Sequence, residues 1–218
     1  MSKKITKVIA ALGVVAGLGI AALPLSSYAA EKGSANISVS VNVAGAFNVS
    51  ATNAGQITAT AGTVGETDGS TVAHGSATVL SNLSGTYTFK VGTPYSATAD
   101  TTALAATGYT VPTTNPDATK IIPAGVPANN TSAWGYKIIS ATSAALGGGN
   151  VAGWTIDSTY QAATAFTNAS FVGGRTVTST AVIPSGGDVY TFQIGASISN
   201  TNSADQYSGT LTVFAAEN

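Results

Sequence analysis

Apolar and polar residues alternate along this chain with a period of two, and the alternation recurs in short runs as far as the C-terminus. Ile37, Val39, Val41 and Val43 are spaced by Ser38, Ser40 and Asn42, the pattern of a strand with one buried face. Phe47 and Val49 extend it past Gly45, and residues 57–60 read as a further short strand. Tyr87, Phe89 and Val91 alternate with Thr88 and Lys90, and Trp134, Tyr136 and Ile138 alternate with Gly135 and Lys137. Val177, Ser179, Ala181 and Ile183 form the next run, with Ser179 a small polar exception on the apolar phase. Tyr190, Phe192, Ile194, Ala196 and Ile198 make a long strand, and Tyr207, Gly209, Leu211, Val213 and Ala215 make the last. Clusters of Gly, Asn, Asp and Pro at 65–69, 112–117, 147–150, 184–188 and 200–205 separate the runs. Many short strands with turn signals between them predict an all-β sandwich or barrel. Residues 140–146 and 158–166 look locally helical or irregular, and both are too short to change the class.

The first thirty residues follow a different pattern. Lys3, Lys4 and Lys7 precede an unbroken apolar run from Val8 to Leu23, followed by Pro24 and the small-residue stretch Ser26-Ser27-Tyr28-Ala29-Ala30. A basic head, an apolar stretch and a small-residue exit make a secretory signal peptide, with Ser27 and Ala29 placing the cut after Ala29. The alternative is an uncleaved membrane anchor. The 16-residue run falls short of the roughly 20 residues that a spanning helix needs. The expected organisation is a signal helix over residues 1–29 and one all-β sandwich domain over residues 30–218, with no membrane span after cleavage.

Export changes the charge balance. Three of the eight basic residues lie in the signal, leaving five basic against nine acidic, a net charge of −4. Such a chain has no electrostatic footprint for nucleic acid. Charged residues are 8% of the sequence, against about 25% in ordinary globular proteins, so Ser, Thr, Asn and Gly must solvate the surface. Hydrophobic residues reach 44% and mean hydropathy is +0.27, which separates the chain from disordered segments of low hydrophobicity. There is no cysteine, so no disulfide framework supports the fold.

The stretch Gly85-Thr86-Tyr87-Thr88-Phe89-Lys90-Val91-Gly92 echoes Asp188-Val189-Tyr190-Thr191-Phe192-Gln193-Ile194-Gly195. Duplication would produce such an echo, and so would two core strands converging on residues that suit a pleated surface. Four pieces carry a family resemblance: Gly85-Thr86-Tyr87-Thr88-Phe89; Ile122-Pro123-Ala124 leading to Ala133-Trp134-Gly135-Tyr136; a Gly-Gly turn feeding residues 190–196; and the terminal residues 207–218. Over residues 75–218 the chain resembles exported surface β-sandwich proteins, immunoglobulin-like or pilin-like, of Gram-positive-type and small episymbiotic bacteria. The resemblance implies location and architecture and brings no catalytic residue. The placement of Tyr207 is similar to a tyrosine corner, whose phenol bonds back to the backbone; an ordinary core aromatic is the alternative.

Candidate chemistry is sparse. His74 is the only histidine, in a loop or at a strand end, and without cysteine it makes neither a zinc site nor an acid–base constellation. Glu66 and Asp68 could form part of a calcium loop but lack the remaining oxygen ligands, and a solvated turn is expected. Gly147-Gly148-Gly149-Asn150 lacks the Lys-Ser/Thr of a phosphate-binding loop. Lys90 and Lys137 could enter a Lys–Asn isopeptide bond beside a buried acid, but they sit on the polar phase of their strands. Trp134 and Trp154 suit a sandwich core better than a sugar platform.

The sequence therefore predicts an exported, non-enzymatic surface protein with a structural or adhesive role, without catalytic, cofactor-binding or metal-binding residues. The alternatives are a lectin-like carbohydrate-binding module and a pilin-like subunit that assembles by β-strand addition through Ile37–Val43. The expected partner is a cell-envelope component or a ligand on a host or neighbouring cell, with self-association possible and no nucleic acid. The terminal Ala215-Ala216-Glu217-Asn218 carries no sorting motif, so the expected hold on a surface is through the folded β-domain.

Overall fold

The computed structural model describes residues 32–36, 47–81, 85–182 and 186–218. The signal segment and the alternating run Ile37–Val43 lie outside the described residues. The strands are β1 (Lys32–Asn36), β2 (Phe47–Thr52), β3 (Val64–Glu66), β4 (Gly75–Ser81), β5 (Thr86–Gly92), β6 (Leu104–Ala106) and β7 (Ile121–Ile122). They continue with β8 (Ala133–Ser143), β9 (Gly149–Asn150), β10 (Gln161–Ala162), β11 (Arg175–Val182), β12 (Asp188–Ser197), β13 (Tyr207–Ser208) and β14 (Thr212–Glu217). The only helical elements among the described residues are 3-10 turns at Ala118–Lys120 and Ala144–Leu146. The fold is all-β, as the period-two patterning predicts.

Among the described residues, three antiparallel sheets carry it. One has the order β1-β14-β5-β11, and a second has the order β10-β8-β12-β4-β2, with β3 added along β12 and β9 along β8. A small third sheet runs β13-β6-β7. The two large sheets meet through their apolar faces in the manner of a β-sandwich. Tyr87, Phe89 and Val91 of β5 are fully buried together with Tyr190 and Phe192 of β12, Ala77 and Val79 of β4, and Val213 and Ala215 of β14. The Phe89 and Tyr190 rings stack across the core with centroids 3.9 Å apart. The two echoing stretches are thus facing core strands, one in each large sheet.

Bulges re-aim the alternation in two strands. Along β8, Thr191 faces Ser140 while Phe192 faces Ile138, so Ile139 is an extra residue. Trp134, Tyr136 and Ile138 are buried before it, and Ala141 and Ser143 after it. The stretch 140–146 expected to be helical or irregular is strand as far as Ser143, because pairing with β12 continues through the bulge. In β11 the register shifts on either side of Thr178, which is buried while Ser179 is exposed. The polar exception on the apolar phase is removed by the shift.

Three further expectations change. Residues 57–60 are extended but belong to no sheet. The run expected from Tyr207 to Ala215 breaks into β13 and β14, where Gly209 passes so close to Leu104 that an added Cβ would lie 2.6 Å from its side chain. The strand β4 went unpredicted because its inward residues are Gly75, Ala77, Val79 and Ser81, too small to mark an apolar phase.

Two polar devices lie between the large sheets. Arg175 of β11 grips Asp157, which lies in the loop beside β8: Nη1 donates to Oδ2 at 2.7 Å, and Nη2 to Oδ1. The Ile138 N–H also donates to Asp157 Oδ2, at 2.9 Å. Burial works against the guanidinium charge, but the bonds to Asp157 outweigh it and hold Arg175 above its ordinary pKa. Deeper in the core, the Tyr87 hydroxyl donates to Asp188 Oδ2 at 2.6 Å, and the Tyr190 hydroxyl donates to the Tyr87 oxygen at 2.6 Å. Asp188 is 1% exposed, and its Oδ1 has no partner among the described residues. Burial pushes the phenols of Tyr87 and Tyr190 well above the ordinary tyrosine value.

Candidate functional site

The second half of β12 builds one wall of a cavity. Asp188–Phe192 pairs with β4, whereas Gly195–Ser197 pairs with β3. Past Phe192, the apolar alternation continues as Ile194, Ala196 and Ile198. These side chains share a cavity of about 640 Å³ with Trp134 of β8, Leu104 of β6, Ile122 of β7 and Leu211. The volume lies within the range of small-ligand sites. Trp134 is 3% exposed, and its indole N–H donates to the Thr102 carbonyl at 2.7 Å. It forms wall rather than platform.

The lips are polar. One is the extended segment 53–59, which presents exposed Asn53, Gln56 and Thr58. It is held where the Gly55 N–H donates to the Ala73 carbonyl at 2.8 Å, and where Gly65 packs against Ile57, the Thr58 carbonyl oxygen and Ala59. The backbone groups of residues 56–59 make no hydrogen bond with the described residues. The other lip is Asp205 to Gly209, including β13, which pairs with β6 and ends the small sheet. Its anchor is Tyr207, whose hydroxyl hydrogen is shared between the carbonyls of Thr119 at 2.8 Å and Ser203 at 2.9 Å. The bond back to Ser203, four residues upstream, is the tyrosine-corner arrangement. Partial burial raises the Tyr207 phenol above its ordinary value, so it stays neutral at physiological pH. Among the described residues the lining contains one carboxylate, Asp205, and no basic side chain.

The residues singled out from sequence lie elsewhere and are occupied by their own fold. Asp68 accepts the backbone N–H groups of Ser70, Thr71 and Val72 and the Thr71 hydroxyl, which lowers its pKa far below the ordinary carboxylate range. Glu66 accepts the Tyr160 hydroxyl. The pair therefore forms a turn and a ring anchor, and among the described residues no cluster of three or more His, Asp or Glu gathers that could hold a metal. His74 is half-buried in the loop before β4. Its ring packs over Gly69, with Nδ1 3.4 Å from the hydroxyl of buried Thr67.

Lys90 lies between buried Phe89 and Val91, so it projects to the opposite face of its sheet, away from Asp188. Lys137 extends over the Tyr160 ring at 4.6 Å. Neither lysine shares a face with the buried acid. Trp154 is partly buried against the core, Gly147 and Gly148 form a turn, and Gly149–Asn150 is β9. The cleft itself was not foreseen. Its one sequence signal was the alternation at 57–60, read as an ordinary strand. Comparison of the chain with protein-family models, with curated proteins and with solved structures returned no match.

Proposed function

We propose that this chain is an exported, non-enzymatic cell-surface protein with a structural or adhesive role. In this reading it is an immunoglobulin-like or pilin-like β-sandwich that holds an uncharged surface ligand in the cleft. The ligand belongs to a cell envelope or to a host or neighbouring cell. The observation that carries the reading is the cleft's chemistry: an apolar floor of Ile194, Ala196 and Ile198 between amide and hydroxyl lips, with Asp205 the one carboxylate among the described residues. Convergent polar groups around an apolar pocket are what a binding site needs. The apolar run before Pro24 supports export.

The test is binding of the purified exported protein to isolated cell envelopes and to a glycan array. Thr58→Lys and Ser208→Lys place charge on the exposed lips, where folding is indifferent to it. Saturable binding that both variants weaken at least about tenfold, with unchanged melting, is the expected result. Binding indifferent to both variants would remove the cleft from the mechanism. N-terminal sequencing of the secreted chain should begin at Ala30.

A further inference from the structure

We infer that the cleft receives an extended, uncharged peptide strand, which enters between two open strand edges and joins them into one sheet. The inference rests on the reading of the cleft as a binding site and names the class of ligand.

The first edge is the lip at 56–60. Ile57 and Ala59 are half-buried while Gln56, Thr58 and Thr60 are exposed, which is the alternation of a strand. The segment rests on Gly65 through Ile57, Ala59 and the Thr58 carbonyl oxygen and is tied to Ala73 at Gly55, but the N–H and C=O groups of residues 56–59 make no hydrogen bond among the described residues. Backbone groups are obligatory hydrogen-bonding groups, and an extended segment without a ladder offers them to another chain. The second edge is β13, paired on one side only among the described residues. Both edges line the same cavity, whose floor is apolar.

A strand lying there would bond to the edges through its main chain and place alternate side chains on Ile194, Ala196 and Ile198. That division is the logic of strand addition, in which the main chain gives affinity and pockets for alternate side chains give specificity. Ala196 is small and stands between two isoleucines, which leaves room for aliphatic branches. The electrostatics give charge little to hold. Asp205, the one carboxylate among the described lining residues, is exposed and already accepts the Gln206 N–H, so a basic peptide gains little from it, and no basic side chain among them meets an acidic one. The fitting peptide alternates aliphatic with hydroxyl or amide residues.

The probe is a synthetic seven-residue peptide of alternating valine and threonine, end-blocked and fluorescently labelled, added to the exported protein. A second peptide has the same side chains but N-methyl groups on alternate backbone nitrogens, which removes the donors on one edge. Binding of the first peptide with at least about tenfold loss for the second is expected, because a ladder bond contributes roughly 1 kcal/mol and several are lost. Hydrogen exchange should slow at least about tenfold at residues 56–60 when the first peptide binds. Thr58→Pro, on the exposed lip, should weaken the peptide without lowering the melting temperature; if it unfolds the chain, the methylated peptide decides alone.

Equal affinity for both peptides, or unchanged exchange at 56–60, overturns strand addition while the cleft still binds. Envelope binding that is sensitive to Ser208→Lys, in a protein that ignores both peptides, also overturns it and leaves the proposed function standing. Absence of every kind of binding removes both.

Discussion

The ion pair between Arg175 and Asp157 ties an edge strand of one large sheet to the loop beside the other, in a chain with no cysteine to do so. Arg175→Met keeps most of the aliphatic stem and deletes the guanidinium. Asp157, whose side chain is 8% exposed, is then left with the Ile138 N–H as its one remaining donor among the described residues. Removing one partner of a fully buried pair costs about 3–5 kcal/mol. Arg175 is 28% exposed, and water reaching the stranded carboxylate trims the expected loss to about 2–3 kcal/mol. For a chain of this size, 1 kcal/mol moves Tm by about 2–4 °C, so the variant should melt about 5–10 °C lower.

The assay is thermal unfolding followed by near-ultraviolet circular dichroism, with urea unfolding for the free energy. The source of the loss can be checked directly. If a stranded charge causes it, adding Asp157→Asn should recover at least about half, because the amide oxygen still accepts from Ile138 while no ion remains buried. An Arg175→Met melting point within about 1 °C of the parent would refute the clasp. A double variant as unstable as the single one would show that lost packing, not charge, is responsible.

The buried acid invites a double-mutant cycle. Tyr87→Phe and Asp188→Ala should each destabilise, with a coupling of about 1.5–3 kcal/mol between them in urea unfolding, since the hydroxyl is the donor to Asp188 Oδ2. Additive effects would deny the bond. Gly135→Ala should cost about 1–3 kcal/mol, because an added Cβ would meet the Gly125 and Gln161 carbonyl oxygens at 2.5 and 2.7 Å, both backbone; an unchanged melting point would contradict that packing. The phenols of Tyr87, Tyr136, Tyr160 and Tyr190 are raised chiefly by burial. The unfolded chain then loses these protons first, so stability is full below about pH 10 and falls as pH rises beyond it. Absorbance near 295 nm should show the fully buried Tyr87, Tyr136 and Tyr190 ionising only together with unfolding, and gradual ionisation of these three in the folded state would contradict their burial.

How much of this was legible in the sequence follows from side-chain size and from what pairs with what. Strands whose inward residues are large, such as Tyr87-Phe89-Val91 and Tyr190-Phe192-Ile194, declare their phase outright because burial rewards aromatic and branched residues. The strand β4 is silent because its inward Gly75 and Ala77 make room for those same aromatics. Bulges at Ile139 and around Thr178 are invisible to a fixed period, since the extra residue is defined by the partner strand's register. The cleft shows the converse failure. Ile57 and Ala59 alternate as a strand does, and the sequence reading supplied the sheet that alternation implies. The structure keeps the alternation and withholds the sheet, leaving residues 56–59 beside an apolar cavity with their backbone unpaired among the described residues. A local pattern reports what a segment can pair with, and only the fold reports whether the partner lies within the chain. The mismatch between strand-like sequence and absent ladder therefore directs attention to this lip, where a second chain would complete what the first leaves open.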